Sequence, residues 1–259
     1  MNTGFFKLCL FNFLFAFACI VKGQNIVIDD SLAAHADMYK VKVGGGGFGK
    51  VVKISFGEYA VTSSKSGWRK TNTRANLLET KKETKTSHKF SFVLSHTSGT
   101  AAAVNASTYI LDKWEEPMEL SPHFSVGEYK MILDSSNFTS YIMLHQDTSQ
   151  TWALFMILSG GSQTEGTHQA MLTNGSREIS MMTVTSNRHG DDPRSLPATG
   201  YEFIEGDQAI GALQYFGGGL WGTNKYIVWI HQKLDADTKL LLAAAMTAVM
   251  EAQLFGMVE

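Results

Sequence analysis

Cysteine is nearly missing from this chain of 259 residues: there are two, Cys9 and Cys19, and both fall within the first 23 positions. If that segment is removed as a leader, no thiol remains, which excludes a disulfide framework, a thiolate nucleophile and a cysteine-ligated metal. Charge is sparse as well, 18% of residues with a net of −2, so the chain lacks the strongly basic footprint of a nucleic-acid binder. There is no HExxH and no GxSxG, and seven of the eight histidines (His35, His88, His96, His123, His145, His168, His231) stand singly, so no metal, cofactor or catalytic motif is assigned. What is abundant is apolar and turn-forming: 44% hydrophobic residues, 16 Phe and 24 Gly against only 4 Pro. That composition supplies a full globular core and excludes a disordered or fibrous chain.

Residues 1–23 carry an early Lys7 and then an apolar run, Leu8 to Val21, which is short for a membrane span; they read as a secretory signal peptide. Cleavage after Gly23 is the preferred reading. The alternative is a lipoprotein-type end at Cys19, which Ala16-Phe17-Ala18 precedes in small-x-small form. Either outcome makes the protein exported, whether periplasmic, envelope-associated or extracellular. Removing Lys7 and Lys22 with the leader leaves 20 basic residues against 24 acidic ones, a charge of −4. Three sequons, at Asn105, Asn137 and Asn174, carry little weight.

After a short lead over 24–37, the pattern becomes runs of β-branched and aromatic residues broken by Gly, Asn, Asp and Ser every 8–12 positions. This predicts about a dozen strands between Met38 and His231. Phe90, Phe92 and Leu94 alternate with Lys89, Ser91 and Ser95, as in a sheet with one face on a core and one in water. The end of the chain differs. Asp235 to Thr238 supply a cap, and Leu240 to Met250 is apolar except for Thr247, so a helix is predicted over 235–255. A helix apolar on every side must be surrounded on every side. Its many alanines, and Glu251 and Gln253 near its end, favour a sheath of strands over lipid, so no transmembrane segment is assigned after the leader.

Tyr201-Glu202-Phe203, Gly206-Asp207, the strands Ala209–Ala212 and Tyr226–Ile230, and Leu234–Lys239 leading into the alanine-rich helix resemble the C-terminal part of the tubby C-terminal-like superfamily. That superfamily includes LURP-one-related proteins and phospholipid scramblases. The chain also resembles uncharacterised secreted proteins of bacteria. The resemblance covers residues 201–254 and implies, for 38–259, a mainly β domain: a closed antiparallel barrel of about twelve strands enclosing the hydrophobic C-terminal helix. It also implies association with lipid, although no lipid-binding residue of the family finds a matching position here.

Four local features bear on function. Gly44-Gly45-Gly46-Gly47-Phe48-Gly49-Lys50 approaches a phosphate-binding loop, but Val51 replaces the needed hydroxyl and a strand pattern follows where a helix is required, so it reads as a turn. His189, Asp191 and Asp192, between strands and beside Arg194, are the best candidates for acid–base chemistry and define the alternative of an exported hydrolase. Leu220 and Trp221 follow Gly217-Gly218-Gly219 as an aromatic loop tip. The fourth is charge patterning: Lys65, Arg69, Lys70, Arg74, Lys81, Lys82, Lys85 and Lys89 face only Glu79 and Glu83, so 65–89 carries +6 and the rest of the mature chain −10. Two strands joined by a loop over 72–85 would present a basic tongue to anionic lipid or an envelope component. The stretch reads as too poor in interleaved aromatics to stack nucleic acid. The function expected is a non-catalytic exported binding module, with a hydrolase or a structural envelope protein as the alternatives.

Overall fold

A computed structural model describes residues 25–45, 49–77, 80–121, 124–126, 128–145, 147–160, 167–186, 197–217 and 226–254. In chain order its elements are a short helix α1 (Asp30–His35), then β1 (Ala36–Lys40), β2 (Lys42–Gly44), β3 (Lys53–Phe56), β4 (Tyr59–Ser66), β5 (Lys70–Ala75), β6 (Lys81–His96) and β7 (Ala101–Glu115). They continue with β8 (Met118–Ser121), β9 (Phe124–Val126), β10 (Lys130–Leu144), β11 (Thr151–Gly160), β12 (Thr167–Thr173) and β13 (Glu178–Thr185). Last come β14 (Thr199–Glu205), β15 (Gln208–Phe216), β16 (Ile227–His231) and the helix α2 (Ala236–Leu254).

Thirteen strands form one antiparallel path, β1-β16-β15-β14-β13-β12-β11-β10-β7-β6-β4-β3-β2, and β5 pairs with β6 beside it. Only Val41 separates β1 from β2, so a single run of chain pairs with β16 at one end of the sheet and β3 at the other. Val41 N–H also donates to Tyr226 O at 3.0 Å. This run draws the two ends together into a nearly closed barrel. The expected barrel fold is found, with one strand more on its path than the dozen read from sequence.

Inner-facing Phe90, Phe92, Leu94, Val104, Phe138, Ile142, Leu154 and Leu172 meet α2, whose residues from Leu240 to Ala252 are all buried. The alanines let the wall approach. Gly211 on β15 has the same role, because a Cβ there would sit 2.9 Å from Met246 Cε and 3.1 Å from Trp229 O. Asp235 caps the helix, its carboxylate accepting from Thr238 N–H at 2.9 Å and Thr238 Oγ1 at 2.7 Å. Thr247, the one polar interruption, returns its hydroxyl to Ala243 O at 2.7 Å. His145, just past β10, meets Asp237 in the first turn of α2 at 2.8 Å. Glu251, near the other end of α2, meets Val52 at the start of β3. The helix therefore runs toward the barrel end where β6, β7 and β10 are longest.

The lead over 24–37 is more structured than its sequence suggested. Asp29 caps α1 by accepting from Ser31 and Leu32 N–H, and Leu32 packs with Ile26, Ala198, Ala212 and Trp229 on the outside of β15 and β16. That second cluster explains why all five residues of β16 are buried.

Candidate functional site

Three strands outrun the barrel. At about 3.4 Å per residue, the 16 residues of β6 reach roughly 50 Å. Phe90 to Leu94 fill the half of β6 that lines the core, and the half from Lys81 to Lys89 projects with the ends of β7 and β10 as a ribbon. The stretch 72–85 is accordingly not a loop. Residues 70–75 pair with 82–87 in register. The hairpin pairing is extended by Asn76 N–H to Lys81 O at 3.1 Å and by Lys81 N–H to Asn76 Oδ1 at 3.0 Å. Threonines opposite one another hold the hairpin together, Thr71 with Thr86 and Thr73 with Thr84, each pair at 3.2 Å.

The eight cations of this stretch divide into two sets. Lys81 pairs with Glu115 at 3.1 Å, Lys82 with Glu116 at 2.8 Å, and Lys85 with Glu83 at 2.8 Å, while Glu83 also takes Lys113 at 3.2 Å. Two lysines beside Glu83 hold its carboxyl below the usual range, the Lys85 hydrogen bond foremost. Lys65, Arg69, Lys70, Arg74 and Lys89 form no ion pair among the described residues, and all five are exposed. Four of these five lie along β4, β5 and the Gly67–Arg69 link between them; Lys89 lies next to that link on β6, its carbonyl accepting from Gly67 N–H at 2.8 Å. β5 pairs only with β6 and so has an open edge, which carries Lys70 and Arg74 and continues the link that holds Arg69; Lys65 lies on β4, between β6 and β3, and Lys89 on β6.

Trp68 sits inside the same run, 73% exposed, and Leu77 at the hairpin turn is 99% exposed. They are the two most exposed large apolar residues among those described, and both lie between Lys65 and Lys89. The sequence reading overlooked Trp68, although Lys65 and Arg69 flank it. The pairing carboxylates Glu115 and Glu116 were also invisible to a reading of 65–89 alone, because they arrive across the β6–β7 register from some 30 positions away. Where the ribbon ends, a groove of about 500 Å³ is lined by Trp114 and Ile132 together with Arg74, Lys82 and Lys113. On the ribbon's inner face Asp112 stands opposite Asp134; burial foremost, then the Asp134 charge and a hydrogen bond to it, raise the Asp112 carboxyl above its ordinary value.

The other sequence features divide between those described and those outside. Lys50 and Val51 lead into the strand β3 and not into a helix, so the glycine-rich segment connects β2 to β3. His189, Asp191, Asp192 and Arg194, with Leu220 and Trp221, lie outside the described residues, as do residues 1–24. The described histidines are dispersed, His35 stacking on His231, His96 meeting Glu58 and His88 meeting Ser66. Among the described residues no group of three His, Cys, Asp or Glu could hold a metal ion, and no helix is long and apolar enough to cross a membrane.

The fold and this edge together define a barrel around a helix that presents a basic, partly apolar outer strand. Comparison with protein-family models, curated proteins and solved structures finds no match to the chain.

Proposed function

We propose that the protein is an exported, non-catalytic binding module that docks on anionic membrane surfaces through the β4–β5 edge. The observation that carries this reading is the segregation of charge. Five cations that form no ion pair among the described residues cluster on β4, β5, their link and the adjoining part of β6, near Trp68 and Leu77, whereas Lys81, Lys82 and Lys85 are neutralised within the ribbon. A Lys or Arg held near an anionic leaflet contributes about 1 kcal/mol, so five contribute about 5 kcal/mol at low salt. A lysine with a carboxylate about 3 Å away adds far less, because the pair presents no net charge. An exposed Trp and Leu are what an interface between water and acyl chains accommodates, and a soluble polyanion has no use for them. The helix fills the barrel, so binding belongs to its outside. The resemblance to lipid-associated barrels supports the same reading.

Co-sedimentation of residues 24–259 with neutral and phosphatidylglycerol-containing vesicles tests it. Binding is expected to need the anionic lipid and to fade at high salt, and Trp68→Ala with Leu77→Ser should weaken it about tenfold or more, since burying such a side chain is worth about 1.5–3 kcal/mol. Absence of binding to either vesicle, or equal binding to both, would overturn the proposal.

A further inference from the structure

Glu251 is a carboxylate where the fold is least suited to one. It lies in the last turn of α2, 1% exposed, at the helix end whose carbonyls already carry partial negative charge. One backbone donor serves it: Val52 N–H reaches its two oxygens at 3.3 and 3.4 Å, long for a bond to an ionised carboxylate. Val52 in turn follows the glycine-rich connection between β2 and β3, in which Gly49 adopts φ +71°, a conformation that side-chain-bearing residues rarely take. A buried acid thus joins the end of the central helix to the lead into β3.

Among the described residues the groups around it offer no counter-charge. On α2 itself, Gln253 Nε2 is buried without a hydrogen-bond partner among the described residues. The residue leading into β16 brings the Tyr226 phenol, which the Glu251 charge, after burial, pushes upward. Leading into β3, Val51 and Val52 are flanked by Lys50 and Lys53, both exposed. The buried imidazole of His88 on β6 is directed to Ser66 and Phe90, and burial foremost lowers its pKa. The strands β7 and β10, which pack on the helix, contribute the hydroxyls of Thr108 and Ser140. Burial pushes the Glu251 carboxyl up to about 7, with the Val52 bond opposing it.

We propose that Glu251 and Val52 form a proton-operated clasp, closed while Glu251 is neutral and released when it ionises, freeing the last turn of α2 and the lead into β3 at the barrel end that bears the basic ribbon. The inference stands apart from the membrane reading, since it concerns opening of the barrel end whatever the edge binds. Its sign follows from linkage. The closed state holds the proton more tightly than the open state does, so closure is fully favoured below the ordinary Glu range and weakens as pH rises to about neutral.

Hydrogen–deuterium exchange, corrected for the intrinsic pH dependence of the chemistry, tests the clasp on the unmodified chain and on Glu251→Gln. Protection of the Val52 amide and the last turn of α2 is expected to fall about thirtyfold between about pH 5.5 and about pH 8.5 in the unmodified protein, with little change in Glu251→Gln. Should Glu251→Gln fail to fold, Glu251→Met supplies the same neutral comparison. Protection that does not change with pH in the unmodified protein, or an equal fall in the neutral variants, would overturn the proposal.

Discussion

Two carboxylates at opposite ends of α2 show how position decides what one residue type does. Asp235 sits at the N-terminus, where free N–H groups and the positive end of the dipole favour a negative charge. The Thr238 N–H bond, the largest influence, holds its carboxyl below the usual range. A lowered folded-state pKa means stability that is present above the unfolded value and lost as pH falls through the folded one. Asp235→Ala is therefore expected to cost about 1 kcal/mol at neutral pH in urea denaturation, with the gap to the unmodified protein closing in acid. Glu251, at the other end, has the reverse sign: its neutral form is the one the fold accepts. The Asp235 cap was legible in the sequence as an Asp before an apolar run, and its partner Thr238 lies in the same short segment. Glu251 was visible only as an argument against a membrane span. Its burial depends on Val52, 199 positions away, which no local pattern reports.

Among elements, the central helix and the inner halves of the strands were readable because burial writes itself into periodicity. Phe90, Phe92 and Leu94 alternate, and α2 is apolar on every side, each for the reason the structure shows. The outer halves of β6, β7 and β10 were not readable, because the side chains that face inward there are polar (Thr84, Thr86, His88, Thr108, Asp112), so half-burial leaves no apolar alternation. Lys130–Leu144 is one strand of 15 residues although polar residues interrupt its apolar pattern. Its polar stretch Asp134-Ser135-Ser136-Asn137 continues the pairing with β7 and β11 in register. The helix α1 was missed for a related reason: six residues with one buried side chain, Leu32, give too little period to detect. The sheathed helix makes its own test. Ala244 is fully buried against the wall, so Ala244→Leu is expected to lose about 1–3 kcal/mol or more by overpacking, measured as a lower denaturation midpoint. An unchanged midpoint would mean that the helix has room around it.

For the whole molecule, the informative quantity is where charge is left over after folding. For 65–89 the total charge was legible from composition, but its distribution was not. The total suggested a uniformly basic tongue. In the fold, Glu83, Glu115 and Glu116 cancel Lys81, Lys82 and Lys85, and the surplus moves to the β4–β5 edge beside Trp68 and Leu77. Cations along an open edge also discourage pairing with a second strand, so the same residues that are proposed to meet lipid keep the edge from aggregating.

The most direct measurement compares anionic-vesicle affinity at low salt for two variants. One neutralises the edge, Lys65→Gln, Lys70→Gln and Arg74→Gln together. The other deletes two ribbon ion pairs without changing net charge, Lys81→Gln with Glu115→Gln and Lys82→Gln with Glu116→Gln. At about 1 kcal/mol per cation the edge variant is expected to bind about a hundredfold more weakly, while the pair deletions leave affinity within about threefold. Loss of binding on removing the pairs, or full binding without the edge cations, would contradict the account.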